Sequence, residues 1–75
     1  MRYYVYVIRN MDEEKKQYIG FTVDLKWRLA EYNSDDNKGY TRGRKWKLVY
    51  YEAYLSKRDA RKREKQLKAD GRARR

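Results

Sequence analysis

A chain of 75 residues is one small domain, and at this size folding buries only about 60% of the surface the unfolded form exposes. Cysteine and histidine are both absent, which excludes disulfide staples and zinc sites built on those side chains. Lysine and arginine total 21 against 11 acidic residues, a net charge of +10, so attraction to polyanions is expected, and no apolar run approaches the ~20 residues of a membrane span.

Stability must then come from aromatic area: nine tyrosines, two tryptophans and one phenylalanine. Such side chains bury much surface but need partners for their polar ends. Met1-Arg2 leads straight into a strand pattern, leaving no room for a signal peptide, and the expected location is the cytoplasm.

Residues Arg2 to Ile8 are rich in tyrosine and valine, which suit a pleated surface. Tyr3, Val5 and Val7 fall on one face, Tyr4, Tyr6 and Ile8 on the other, as in a central strand covered on both sides. Arg9 to Lys16 is polar, with Asn10 and Asp12 as turn formers. Gln17 to Phe21 resumes the strand and is expected to pair with the first as an antiparallel hairpin. Gly20 should end this second strand, allowing a turn or the close approach of a ligand.

Thr22 or Asp24 then caps a helix that runs to about Tyr32, with Leu25, Leu29 and Tyr32 as its buried stripe and Arg28 beside it. Asn33 to Lys45 reads as a loop with room for a short helical turn. Trp46 to Leu55 reads as a third strand, with apolar residues on both faces. Ser56, followed by Asp59, opens a last helix to about Ala69, with Gly71 as a stop and a basic tail from Arg72 to Arg75. The expected architecture is α+β, in the order β-β-α-β-α: a small three-stranded antiparallel sheet flanked by helices.

Within the last helix, Ala60 and Leu67 are seven apart and Glu64 falls on the same face between them. A carboxylate on an inward stripe must be paired, hydrated or bound to a cation. It could form an ion pair with Arg28 or a neighbouring lysine, or hold Mg²⁺ or Mn²⁺, which commonly takes one or two carboxylates with water.

Tyr4-Val5-Tyr6, Tyr18-Ile19-Gly20, Arg28, Tyr32 and Glu64, in this order and spacing, resemble the GIY-YIG nuclease superfamily. Small stand-alone members look most similar, and the catalytic N-terminal domain of a bacterial excinuclease belongs to the same group. Gly39-Tyr40-Thr41-Arg42-Gly43, Trp46 to Tyr51 and Arg63 to Lys68 add to the likeness. The resemblance covers almost the whole chain and implies a single, C-terminally short domain over residues 1–75. It departs from the family pattern at three places. Tyr4 stands for the first motif's glycine, Phe21 stands where some relatives carry lysine, and no asparagine follows Glu64.

The resemblance implies a metal-dependent endonuclease that is structure-selective or weakly sequence-specific, with a role in DNA repair or recombination. Carried over residue by residue, it makes Tyr6, Tyr18, Arg28, Tyr32 and Glu64 the catalytic set, with Glu64 holding Mg²⁺ or Mn²⁺. Arg28 would clamp a phosphate oxygen through its fork of donors, and either Tyr6 or Tyr18 would act on the attacking water. Arg42, Arg44, Lys45, Arg61 and Lys68 are expected to contact the nucleic-acid backbone, DNA or RNA, which gives affinity without sequence information. Specificity would then come from a protein partner. The competing reading is a non-catalytic basic module that binds DNA or RNA around a vestigial site.

Overall fold

The computed structural model describes residues 1–11, 16–34 and 45–70. Strand β1 (Tyr3–Asn10) lies at the centre of a three-stranded sheet, flanked by β2 (Gln17–Thr22) and β3 (Trp46–Tyr54), and both pairings are antiparallel. Helix α1 (Leu25–Tyr32) follows β2, and helix α2 (Lys57–Asp70) follows β3. The expected α+β architecture and element order are therefore observed.

The two-sided pattern of β1 decides where the helices go. Val5 and Val7 join Ile19 of β2 and Ala60 of α2 in one buried cluster, bordered by Tyr3, Phe21, Tyr54 and Leu67. Tyr6 and Ile8 join Trp46 in a second, bordered by Tyr18, Leu25, Leu29, Tyr32 and Leu48. Successive strand residues face opposite sides, so the even-numbered face of β1 is covered by α1 and the odd-numbered face by α2. With Val5, Tyr6, Val7 and Ile8 all buried, β1 is the covered central strand that its sequence predicts.

Capping follows local chemistry. The Asp24 side chain accepts a hydrogen bond from the Trp27 backbone N–H at 2.9 Å, making it the N-cap of α1. Thr22 supports the turn instead, its hydroxyl accepting from the Asp24 N–H at 3.1 Å. At α2, Ser56 Oγ accepts from the Asp59 N–H at 3.2 Å.

Several expectations are revised. Strand β1 continues to Asn10, two residues past Ile8, because β2 pairs with it as far as Arg9 and β3 as far as Asn10. Gly20 does not end β2 but lies inside it, opposite Tyr6. The third strand, read with apolar residues on both faces, leaves Tyr50 and Tyr51 about half exposed, as Trp27 is on α1. The strand register shifts between Val7 and Ile8, where Val49 is the extra residue on β3. Among the described residues, β3 pairs on one side only. The expected turn at Asp12, helical turn after Ser34, Gly71 stop and basic tail lie outside the described residues.

Candidate active site

The site is built around the Tyr6 side chain, and Gly20 is why it fits. The two residues face each other across the β1–β2 ladder, and the tyrosine ring crosses β2 over the glycine. A Cβ placed on Gly20 would stand 2.2 Å from the Tyr6 hydroxyl oxygen and 2.4 Å from Cζ. The glycine thus admits the protein's own phenol, rather than a chain reversal.

Tyr6 is 3% exposed, and its hydroxyl meets that of Tyr32 at 3.2 Å. Tyr32, at the end of α1, packs edge-on against Tyr6 with ring centroids 6.3 Å apart. Tyr18 stacks on Trp46 at 5.1 Å and on Tyr32 at 6.5 Å. Three of the expected catalytic tyrosines therefore form one aromatic group on the α1 face, with Trp46 as its floor. Tyr18 also lines an open groove with Gln17, Ile19 and Lys68, and like Tyr32 it is partly buried, whereas Tyr6 is buried.

Arg28 approaches from α1. Its Nη1 donates to Glu31 at 3.0 Å, and its Nε is buried with no hydrogen-bond partner among the described residues. Glu64 approaches from the other face of the sheet. Arg61, one turn before it, sits 5.0 Å over the Phe21 ring, and Lys68, one turn after it, reaches the Tyr18 groove. The flank of α2 bearing Glu64 therefore runs along β2. Glu64 does not pair with Arg28: its oxygens take Lys68 Nζ at 3.0 Å and Arg61 Nε at 3.9 Å, and its side chain is 14% exposed.

Burial pushes the Tyr6 phenol far above its ordinary range, helped by the bond to Tyr32. Arg28 lowers that value and Glu64 raises it, both after burial and Tyr32 in weight.

No group of three or more His, Cys, Asp or Glu side chains gathers among the described residues. The Glu64 carboxylate is a single oxygen donor of the kind a hard, largely hydrated cation such as Mg²⁺ or Mn²⁺ takes, the rest of the shell being water. Of the expected backbone-contacting residues, Arg61 and Lys68 flank Glu64, Lys45 is exposed beside β3, and Arg42 and Arg44 lie outside the described residues.

Sequence reasoning passes over Asn33. Its side chain accepts from the Trp46 N–H at 2.7 Å and donates to the Trp46 carbonyl at 2.9 Å and the Leu29 carbonyl at 3.3 Å. It thereby ties the end of α1, and Tyr32 with it, to the start of β3. An asparagine directly after a helical stripe is the available signal, but the same residue equally suits an ordinary loop.

A family model described as the GIY-YIG catalytic domain matches residues 2–75. A UPF0213 protein of Halobacterium salinarum is 40% identical over 72 residues, covering 95% of this chain and 91% of its own length. A UPF0213 protein of Clostridium perfringens is 41% identical over 66 residues, covering 87% and 69%. Among solved structures, the solution structure of a UPF0213 protein from Bacillus halodurans superposes with a TM-score of 0.55 at 34% identity. It covers 92% of this chain and 72% of the other.

Proposed function

Because the chain belongs to the GIY-YIG catalytic domain family, matched over residues 2–75, we propose that it is a divalent-metal-dependent endonuclease hydrolysing DNA phosphodiester bonds. The observation that carries this reading is the Tyr6–Tyr32 hydroxyl pair under α1, with the Arg28 Nε one turn before Tyr32 on that helix buried and without a hydrogen-bond partner among the described residues.

Each side chain has a task in this reading. Glu64 holds Mg²⁺ or Mn²⁺, which when bound stabilises charge on the phosphoryl and leaving oxygens. Arg28, whose Nε has no protein partner among the described residues, directs that N–H to a phosphate oxygen. Tyr6 keeps its proton, since burial opposes its ionisation, and acts as a hydrogen-bonding group aligned by Tyr32. Tyr18 borders the open groove and is the phenol that orients the attacking water. A phenol hydroxyl both donates and accepts, so it can align that water by hydrogen bonding. Arg61, with Arg58, Lys62 and Lys65 around the same groove of α2, leads the nucleic-acid backbone towards Glu64. The chain reads shape rather than sequence, and a role in DNA repair or recombination suits that selectivity.

Metal-dependent nicking of plasmid or branched DNA tests the proposal. Wild type should cleave with Mg²⁺ or Mn²⁺, and Glu64→Ala and Arg28→Ala should each lose at least ~100-fold, in keeping with the loss of one charge-stabilising group. Equal cleavage by both variants, each still folded by circular dichroism, would assign the activity to another centre or a contaminant, and no cleavage by wild type would leave only a basic nucleic-acid-binding module.

A further inference from the structure

Glu64 is surrounded by cations of its own chain. Lys68 Nζ lies 3.0 Å from one carboxylate oxygen and Arg61 Nε 3.9 Å from the other. A divalent ion approaching this carboxylate meets two positive charges and must take a position that one of them holds. The two are not equally free to move. The Arg61 guanidinium also lies over the Phe21 ring at 5.0 Å, a second contact that favours its present place. The Lys68 ammonium, on a flexible four-carbon stem, is held by Glu64 alone among the described residues, and its side chain is 50% exposed. It also borders the groove of Gln17, Tyr18 and Ile19, so a short swing leaves it beside Tyr18.

We propose that Lys68 is the resident counter-cation of Glu64, displaced by the divalent ion when that ion binds and then left in the Tyr18 groove to meet substrate phosphate. This rests on the reading of Glu64 as the metal ligand. Its physical content is a competition: the Lys68–Glu64 pair must be broken before the carboxylate can turn to a metal ion. The ammonium gives the mostly buried carboxylate a partner at 3.0 Å, and it weakens metal affinity by the strength of the pair it forms.

The test is Mn²⁺ binding to the full chain without nucleic acid, read from the electron paramagnetic resonance signal of free Mn²⁺. Lys68→Met should tighten binding roughly tenfold, as expected for loss of a competing charge at a partly desolvated site. Lys65→Met removes the same charge from the same helix, at a position with no ion pair to Glu64 among the described residues, and should change affinity less than about twofold because exposed charges are screened. Glu64→Gln should abolish the binding. If Glu64→Gln binds Mn²⁺ as wild type does, the metal reading fails and the competition with it. If Glu64→Gln loses binding while Lys68→Met is no tighter than wild type or Lys65→Met, the carboxylate remains the ligand and the counter-cation proposal alone is overturned.

Discussion

Tyr6 and Gly20 form a matched pair, and substitutions at either position probe the same few cubic ångströms. Gly20→Ala puts a methyl group 2.2 Å from the Tyr6 hydroxyl oxygen, and a ring only 3% exposed has little space to retreat. Overpacking of this kind costs about 1–3 kcal/mol, which a lowered urea midpoint would reveal, and cleavage should fall more than in Tyr6→Phe because the ring itself moves. Tyr6→Phe keeps the ring and deletes only the bond to Tyr32, a loss of about 1 kcal/mol. The same pair of proteins reports on ionisation. The Tyr6 phenol should contribute no titration step near the ordinary value of 10.0, so the ultraviolet difference between wild type and Tyr6→Phe should stay flat through that pH. Its folded value lies above its unfolded one, so its contribution to stability is complete below pH 10 and declines as the pH rises beyond it.

At the level of elements, α2 has few apolar anchors, Ala60 and Leu67, and a polar clasp adds to them. Arg63 grips Glu52 of β3 with two prongs, Nε to Oε1 at 2.9 Å and Nη2 to Oε2 at 3.2 Å, while the Tyr50 and Tyr54 hydroxyls donate to the same carboxylate. Burial alone would raise the Glu52 carboxyl, but these donors outweigh it and hold it at about 2, below an ordinary 4.5. The stabilisation is therefore complete above pH 4.5 and is lost as the pH falls through about 2. Urea midpoints measured across that window should fall for wild type, and Glu52→Gln should start lower and fall less. The clasp's helix also carries Glu64, adjacent to Arg63 in sequence, so its rotation sets where that carboxylate points. At the other face, Asn33→Ala would leave the Trp46 N–H and carbonyl without their partners. A cost of about 1–3 kcal/mol is expected for such a loss, together with reduced Tyr32 order in NMR relaxation.

Over the whole molecule, the charge of +10 predicts binding to duplex DNA that weakens steeply with salt, log K falling by about 0.9 per log unit of salt for each phosphate neutralised. Arg61→Ala should lower that slope by about one, provided it contacts one phosphate. No helix among the described residues is long and apolar enough to cross a membrane. The architecture was legible in the sequence because its signals are local or periodic. Alternation on both faces of β1, the Leu25-Leu29-Tyr32 stripe and the Asp24 cap each depend on residues a few positions apart. The candidate site residues were named from motif spacing and the family resemblance it carries, and the match over residues 2–75 shows the family. What spacing could not supply is which groups meet across the sheet. Gly20 has the look of a strand terminus in the sequence, yet Tyr6 lies over it, and nothing local to Glu52, between Tyr50 and Tyr54, announces the Arg63 that arrives from α2. Glu64 could have met Arg28 or a lysine; it meets Lys68 and Arg61, each one turn away on α2 itself, a pairing that helical spacing permits, while the side of the sheet it faces was set by the packing of α2. Strand and helix follow from short-range sterics and the period of apolar residues. Partners brought together by folding depend on helix rotation and strand order, which no local pattern encodes.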